Sequence, residues 1–451
     1  MPQTLNALTT LRTHYRVMVV GAGQAGLSLS AYLQKMDIDH LLIEKHTAVH
    51  SWRTQRWDAF SLVTPNWQCQ LPDWPYQGSD PHGFMVKDEV NTWLQGFVQQ
   101  VQAPVLEHTE VLRVQRLAPE LAADSPDAAN YRVETSQGVF TADHVVIASG
   151  GYHVPIVPRY AERLPAGVQQ IHSADYRNPQ SLPEGAVLVV GSGQSGAQIA
   201  EDLHLAGRKV YLAVGNAPRC ARFYRGRDVV DWLAEMGYYD MPVTKHPLRE
   251  GVRDNTNHYV TGRDGGRDID LRQFAREGME LFGVLEDVQG STLHFRPNLV
   301  ESLDTADATY NRINASIDQY IDKQGIAAPA GSPYTPVWSP EAERTQLELS
   351  TSGITSVVWC IGFAPSFGFV DAPVFNGRGQ PVHLRGVTQV PGLYFLGLPW
   401  LHTWGSGRFS GIARDAQYLA QTIAHAHPTS APSVAALSTA ATRDAGQPQP
   451  A

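Results

Sequence analysis

The sequence predicts an α/β fold with two Rossmann-like dinucleotide-binding domains, the second inserted into the first. The main observation is a pair of glycine motifs of the form G-x-G-x-x-G, at residues 21–26 and 191–196. An apolar run typical of a buried parallel strand, residues 17–20 or 187–190, precedes each motif. Helix-like sequence follows each one. A lone motif is a weak signal, so the repeated order of strand, glycines and helix is what favours two dinucleotides over a ligand-free turn.

Each motif has the residues that a pyrophosphate site needs. The first glycine allows a tight turn, the second lets the backbone approach the pyrophosphate, and the third lets helix and strand pack closely. The helix N-terminus adds free N–H groups and a partial positive charge. We therefore predict two sets of cofactor-binding residues: Gly21, Gly23, Gln24, Ala25 and Gly26 in the first motif, and Gly191, Gly193, Gln194, Ser195 and Gly196 in the second.

The residue that follows the next strand differs between the two motifs. Glu44 comes after the strand-like residues 40–43, where a carboxylate can bind the hydroxyls of an adenosine ribose. Val214 stands at the same offset from the second motif. Arginines that suit a 2′-phosphate follow it, which favours NADP over NAD at the second site; they are Arg219, Arg222, Arg225 and Arg227. The alternative is that these arginines face solvent or pair with acidic neighbours.

Length and composition are those of an ordinary globular protein. The chain has 451 residues, of which 43% are hydrophobic and 18% charged, enough for two or three domains with real cores. A net charge of −9 argues against nucleic acid as the main partner. We see neither an apolar run of roughly 20 residues nor a signal peptide, and expect a cytoplasmic protein without a membrane span.

The three cysteines limit where electrons can go. Cys69, Cys220 and Cys360 are far apart in sequence and form neither a metal-binding motif nor a Cys-x-x-Cys pair. We therefore expect no metal site and no transfer of electrons to a disulfide. Oxygen, a quinone or an organic substrate remain as acceptors.

Composition and strand patterns predict the domain boundaries. Residues 1–155 form the first part of the first domain, residues 156–345 the inserted domain, residues 346–425 the second part of the first domain, and residues 426–451 a disordered tail. Apolar runs at 145–151 and 393–397 end in glycine, and the similar run at 357–363 has Gly362 next to its end. They are predicted strands whose ends meet a cofactor, which adds four candidate binding residues: Ser149, Gly150, Gly362 and Gly397.

The insert has two predicted elements of its own. Residues 284–295 read as a hairpin that turns at Gln289-Gly290. Apolar residues repeat at steps of three and four over 298–323, with Gly325 just beyond, which predicts a helix. This helix would either cover an active site or simply pack within the second domain.

On these residues the chain resembles the flavin-containing monooxygenase group over about residues 15–425. The resemblance comprises both glycine motifs, Glu44-Lys45, the Trp52-Arg53 stretch and residues 146–150. A partial match to the second signature of the group lies at 167–176, where His172 and Tyr176 have the family spacing and Gly167 is one residue further from the histidine. The match is to a bacterial branch and carries no substrate with it.

The resemblance implies FAD at the first site and NADPH at the second. In the group, hydride from NADPH reduces the flavin, O₂ gives a C4a-hydroperoxyflavin, and a small amine- or sulfide-type nucleophile takes one oxygen atom. The protein mainly places the cofactors and keeps the site dry. Lys45, Trp52, Arg53 and Val111 complete the predicted FAD-binding set.

Three further side chains are candidates for roles beside the cofactors. The resemblance makes Asn66, after Thr64-Pro65, the candidate catalytic residue that hydrogen-bonds the flavin or the nicotinamide; the alternative is a turn residue. It makes His172 structural rather than a general base. Trp400, in the aromatic loop 400–407, would lie at the flavin ring or pack between domains.

Two other functions stay open at this point. One is an FAD-dependent NAD(P)H oxidoreductase that reduces a quinone or another acceptor without oxygenation. The other is a non-catalytic flavoprotein that senses redox state. The expected partners are O₂ and a small-molecule substrate, and a homodimer is a candidate assembly.

Overall fold

Two helix-flanked sheets confirm the predicted α/β fold. The computed structural model describes residues 12–117, 130–255 and 257–426, so residues 427–451 of the predicted tail lie outside the described residues. In this part of the chain the α-helices are α1 (Gln24–Lys35), α2 (His50–Thr54), α3 (Lys87–Val101), α4 (Gln194–Leu205), α5 (Val229–Glu235), α6 (Leu271–Arg276), α7 (Leu299–Gln324), α8 (Leu349–Ser352) and α9 (Ile412–His425).

The first sheet has eight strands and combines parallel and antiparallel pairs. The strands are β1 (His14–Val20), β2 (His40–Ile43), β5 (Val105–Leu106), β6 (Val111–Arg116), β7 (Tyr131–Thr135), β8 (Gly138–Ile147), β21 (Val370–Asp371) and β22 (Leu393–Phe395). They are arranged in the order β21-β6-β7-β8-β1-β2-β5, and β22 also pairs with β8. The pairs β1–β2 and β1–β8 are parallel, which brings the carboxyl ends of these strands to one edge.

The second sheet is parallel throughout and lies in the inserted part of the chain. Its order is β10-β19-β11-β12-β15. The strands are β10 (Gln169–His172), β11 (Ala186–Val190), β12 (Val210–Ala213), β15 (Glu280–Phe282) and β19 (Ile354–Trp359). Each sheet therefore contains one strand–glycine–helix unit, β1–α1 or β11–α4.

The position of β19 corrects the predicted boundary at residue 346. This strand pairs with β10 and β11, so residues 354–359 belong to the inserted domain. The chain returns to the first sheet only after β20 (Phe363–Ala364), which pairs with β9 (Val154–Pro155) of the outgoing connection. An apolar strand pattern predicts burial but does not indicate which of the two sheets contains the strand, so it leaves the boundary between the domains undetermined.

Burial on both faces explains why the valine runs form strands. Val17, Val19 and Leu42 are fully buried in a core with residues of α1, α3 and α9. Val187 and Val189 are equally buried against α4 in a separate core. Burying one such side chain contributes about 1.5–3 kcal/mol, and β-branched residues suit the pleated backbone.

Both predicted elements of the insert are present. The hairpin consists of β16 (Leu285–Gln289) and β17 (Thr292–Phe295), with β18 (Gln346–Glu348) as a third strand. Helix α7 ends at Gly325, whose φ of +63° gives the left-handed cap. Its buried residues Leu303 and Ile317 pack into two cores of the second domain, so α7 is a packing helix.

The remaining short elements lie outside the two sheets. They are the strand pairs β3 (Gln70–Leu71) with β4 (Trp74–Pro75) and β13 (Phe223–Tyr224) with β14 (Arg227–Asp228). No helix among residues 12–117, 130–255 and 257–426 is both long and apolar enough to cross a membrane.

Candidate functional site

The first glycine motif forms a tight turn that only glycine permits at two positions. Gly21 has a φ of +107°, and a Cβ there would lie 2.8 Å from the Ala148 carbonyl oxygen. A Cβ on Gly26 would overlap the Gly21 carbonyl oxygen. A Cβ on Gly23, in contrast, would meet nothing within 4 Å. The turn is therefore closed toward β8 and open where a pyrophosphate would approach.

The N-terminus of α1 has donors that the protein leaves available. Gly23 is the N-cap and forms no side-chain cap, and the first turn contains no acidic residue. The first helical bond runs from Leu27 N to Gly23 O at 3.0 Å, so the N–H groups of Gln24, Ala25 and Gly26 precede the helical ladder. Free N–H groups and open space fit the FAD pyrophosphate.

Glu44 is fixed beside this turn. Its carboxylate accepts hydrogen bonds from Ala22 N and from His46 N, both at 2.9 Å. The geometry leaves lone pairs on both oxygens for ribose hydroxyls. Lys45 pairs with Glu110 at 2.8 Å, one residue before Val111 begins β6.

Gln24 links the motif to the aromatic loop. Its amide oxygen accepts from Trp52 Nε1 at 3.0 Å, and its amide nitrogen donates to Gly407 O at 3.2 Å. Arg53 on the same helix as Trp52 donates to Thr47 Oγ1. The structure thus brings α1, α2 and the aromatic loop together, although they lie far apart in sequence.

The predicted strand ends also meet at this edge. Ser149 and Gly150 follow β8, and Gly150 has a φ of +84°. Gly397 follows β22 with a φ of +83°, and a Cβ there would lie 2.8 Å from the Ala25 Cβ. Glycine at 397 is therefore required for the close approach of this chain segment to α1.

The second motif repeats the same geometry in the second sheet. Gly191 has a φ of +100°, and a Cβ there would lie 2.7 Å from the Cys360 carbonyl oxygen. A Cβ on Gly196 would overlap the Gly191 carbonyl oxygen, and Gly193 is an N-cap without a side-chain cap. This arrangement fits a second dinucleotide pyrophosphate.

The pairing of β19 with β11 places Gly362 at the second motif. It was expected in the second part of the first domain, but it follows β19 as Gly150 follows β8. The side-chain amide of Gln194 forms two hydrogen bonds with the Val260 backbone. Its nitrogen donates to Val260 O at 2.7 Å, and its oxygen accepts from Val260 N at 3.3 Å. Ser195 is half-buried in the first turn of α4, and Val214 is buried directly after β12.

The four arginines expected near a 2′-phosphate are paired with carboxylates. Arg219 Nε lies 3.0 Å from Asp307, and Arg222 lies 2.5 Å from Asp228; both arginines are buried. The other two pairs are Arg225 with Asp318 and Arg227 with Glu235. This is the acidic-neighbour alternative, and their role at a 2′-phosphate gains no support from the geometry. Asp307 and Asp318 are distant in sequence from their arginines, so the spacing of the arginines could not reveal them, whereas Asp228 and Glu235 lie only six and eight residues from Arg222 and Arg227.

Asn66 lies in a buried turn held by its own amide. Its nitrogen donates to Asp80 O at 3.0 Å, and its oxygen accepts from Met85 N at 2.7 Å. Both bonds match the turn-residue alternative, and a bond from Asn66 to a flavin stays a prediction. One amide hydrogen remains outside these two bonds.

His172 has structural contacts. Its Nε2 lies 3.0 Å from Gly362 O and its Nδ1 accepts from Ala174 N at 3.2 Å, which assigns a neutral ring. Burial lowers the pKa of His172, in agreement with that state. It therefore orients the chain beside the second motif.

Trp400 packs between the domains. Its backbone has a φ of +51°, and its ring is buried against Val243 and Val252 of the insert. Its carbonyl accepts from Arg253 Nε at 3.1 Å. These contacts match the packing alternative for this loop.

Two arginines that the sequence did not predict as functional residues lie over aromatic rings. Arg56 lies over the rings of Trp52, at 4.5 Å, and Phe60, at 5.4 Å. Arg408 lies 4.1 Å from the centre of the Trp404 ring. Arg56 lies two residues beyond the end of α2, where the sequence pattern gives no signal for its contact with Trp52.

Comparison with known proteins agrees with this geometry. Residues 18–236 match a family model described as pyridine nucleotide-disulphide oxidoreductase. An oxidoreductase of Geobacillus kaustophilus named as CzcO-like and uncharacterized is 29% identical over 413 residues, which cover 90% of this chain and 97% of that protein. Both matches agree with the resemblance to the flavin-containing monooxygenase group that the motifs indicate.

Solved structures share its fold. A flavin monooxygenase from Stenotrophomonas maltophilia superposes with a TM-score of 0.60 at 20% identity, over 92% of this chain and 99% of that one. The structure of OTEMO in complex with FAD and NADP gives a TM-score of 0.52 at 14% identity, over 91% and 85%. At identities of 20% and 14%, these likenesses show that the fold is shared.

Proposed function

We propose that this enzyme uses FAD, NADPH and O₂ to insert one oxygen atom into a small amine- or sulfide-type nucleophile. The observation that carries the proposal is the pair of open, uncapped helix N-termini, one in each sheet, at Gly23 and Gly193. Two such sites on one chain suit one hydride donor and one flavin.

The residues of the chain would hold and orient the cofactors. The first-turn N–H groups of α1 would bind the FAD pyrophosphate, and Glu44 would bind its ribose. The matching N–H groups of α4 would bind the NADPH pyrophosphate. When bound, FAD supplies hydride acceptance and oxygen activation, chemistry that amino-acid side chains lack.

The rings of Trp52, Trp93 and Phe409 would form an aromatic surface that excludes water beside the flavin. Trp52 stacks on Phe409 at 4.9 Å, and Trp93 meets the same ring edge-on at 5.0 Å. Because water and protons favour unproductive release of hydrogen peroxide, such an apolar wall favours transfer of oxygen to the substrate.

The cysteines favour this function over disulfide reduction. Cys69, Cys220 and Cys360 are all free. Burial raises the pKa of Cys69 and of Cys220 to about 12, and raises that of Cys360 further, so all three thiols stay protonated near neutral pH. An acceptor other than a protein disulfide must take the electrons.

Product stoichiometry tests the proposal. Purified protein loaded with FAD is mixed with NADPH and a panel of amines and thioethers, and NADPH, O₂, hydrogen peroxide and oxygenated product are quantified. We expect substrate to lower peroxide release and yield one oxygenated product per coupled NADPH. NADPH oxidation that needs a quinone and yields no oxygenated product would instead establish the non-oxygenating reductase.

A further inference from the structure

Arg222 of the second domain contacts the turn that carries Asn66, which comprises residues 63–69 of the first domain. Its Nη1 donates to Val63 O at 2.6 Å. The Arg222 side chain is only 1% exposed, and its Nη2 lies 2.5 Å from Asp228, the N-cap of α5. A buried guanidinium that is fixed by a carboxylate has little freedom to move, so it holds the Val63 carbonyl in place.

Helix α5 contacts the other side of this turn. Trp67, the residue after Asn66, donates from Nε1 to Asp231 Oδ1 at 2.8 Å. The second oxygen of Asp231 lies 3.1 Å from Nδ1 of His82, which also belongs to the first domain. Because the Asp231 side chain is only 11% exposed, water competes little for these contacts. Arg222 and Asp231 therefore contact the turn before and after Asn66.

Gly262 brings the backbone of the second domain against the segments on both sides of the turn. A Cβ on Gly262 would overlap the Leu62 carbonyl oxygen and would lie 2.7 Å from the Phe84 Cβ. Phe84 precedes Met85, whose N–H group donates to Asn66 Oδ1 at 2.7 Å. The segments that precede the turn and bond to it therefore pack directly on the second domain.

We propose that Arg222 and Asp231 are positioning residues, which set the orientation of Asn66 through the turn that they contact. This proposal rests on the proposed function and on the prediction that Asn66 hydrogen-bonds the flavin or the nicotinamide. Because hydride transfer needs precise placement of donor and acceptor, a displaced turn slows it. The reaction at the first glycine motif then depends on how the domain with the second motif is docked.

Amide hydrogen exchange tests the contact itself. Two backbone N–H groups report on the order of the turn: that of Trp67, which donates to Pro81 O at 2.8 Å, and that of Met85, which donates to Asn66 Oδ1. In FAD-loaded protein, Asp231→Ala should raise their exchange rates about fivefold or more, because the turn loses a hydrogen bond to a charged group. Unchanged rates in this variant would overturn the proposal.

Matched variants separate this contact from a general loss of α5. Asp231→Asn keeps an oxygen that accepts from Trp67 Nε1, so exchange should stay within about twofold of the natural chain. Trp67→Phe removes the donor and should behave like Asp231→Ala. Glu235→Ala is the control on the same helix, because Glu235 pairs with Arg227 of the second domain. Equal responses of Glu235→Ala and Asp231→Ala would overturn the proposal.

Arg222→Lys tests the contact at Val63. The lysine keeps a charge beside Asp228 but lacks the second nitrogen of the guanidinium fork. We expect the two reporter amides to exchange faster, as in Asp231→Ala. Circular dichroism confirms folding, and natural exchange rates in the folded variant would overturn the role of Arg222.

The rate of flavin reduction tests the role of the contact in the reaction. Without oxygen or substrate, stopped-flow absorbance follows the reduction of bound FAD by NADPH. We expect Asp231→Ala to slow this step about fivefold, with FAD content and NADP⁺ affinity within about twofold of the natural chain. In an Asn66→Ala background the same substitution should slow it less than about twofold, because Asp231 acts through Asn66.

The combination of outcomes separates a positioning role from a structural one. Equal effects of Asp231→Ala in the natural and the Asn66→Ala backgrounds would overturn the proposal, and so would faster exchange without slower reduction. A natural chain that is reduced by NADPH but yields no oxygenated product would contradict the proposed function. Slower reduction in Asp231→Ala would still support the positioning role in that case.

Discussion

The surroundings of single residues restrict which amino acid can stand at a position and how it ionises. Gly21 and Gly191 must be glycine because their φ angles are positive and a Cβ would lie only 2.8 or 2.7 Å from a carbonyl oxygen of the adjacent chain segment. Residue identity also fixes ionisation in the core. His144 on β8 is buried beside Tyr394, and its Nδ1 has no hydrogen-bond partner.

His144 should make the folded state sensitive to acid. Burial lowers the pKa of His144 to about 4, below its ordinary value near 6.5. The unfolded chain therefore binds a proton first as pH falls, and stability is lost between about pH 6.5 and 4. The substitution His144→Leu removes this pH-dependent loss of stability. As pH falls through that range, the free energy of unfolding of the variant relative to the natural chain should therefore rise by up to roughly 3 kcal/mol.

Urea unfolding at pH 7, 6 and 5 measures this difference. His425→Gln is the control, because His425 is exposed at the end of α9. A pH-independent difference between His144→Leu and the natural chain would contradict the assignment.

Elements are joined by buried charges as well as by apolar packing. Helix α7 contributes Asp307, which lies between Arg219 and Arg272. Arg219 also lies over the rings of Tyr310 and Tyr334, at 4.6 and 4.0 Å. This network, rather than a nucleotide phosphate, accounts for the burial of Arg219.

Asp307→Asn should destabilise the second domain. It leaves two buried guanidinium groups with reduced compensation, at a cost of about 3 kcal/mol. Asp322→Asn, on an exposed position of the same helix, should change stability by less than about 0.5 kcal/mol. Thermal and urea unfolding measure both. Equal stabilities of the two variants would show that the network contributes little.

The whole molecule consists of two similar units with separate cores. β8 and β19 have equivalent places beside β1 and β11, and the two connections between the units pair as β9 and β20. Because the cores do not share their central strands, each nucleotide site should respond to mutation independently.

Gly23→Ala tests that independence. The added methyl meets no protein atom within 4 Å, so folding should be retained, but it enters the space expected for the FAD pyrophosphate. We expect loss of bound FAD, measured by absorbance, with NADP⁺ affinity within about twofold of the natural chain. Gly167→Ala, also in open space, should retain FAD. Retention of FAD in Gly23→Ala would place the cofactor elsewhere.

Local sequence was enough to predict the elements around both motifs. The valine runs, the glycine spacing and the repeat of α7 depend on near neighbours in the chain, and β1, β11 and α7 formed where predicted. The prediction that Glu44 lies beside the first motif also depends on a local offset in the sequence. The bond of Glu44 to Ala22 N then fixed the carboxylate at the turn.

Side-chain partners could not be predicted in this way. The ion pair of Arg219 with Asp307, the two amide bonds of Asn66 and the pairing of β19 with β11 all join residues far apart in sequence. The two strand–glycine–helix units follow from sequence alone, because turn and helix geometry are local properties. The partners of buried cations such as Arg219 emerge only in the folded chain, because charge compensation depends on contacts between distant segments.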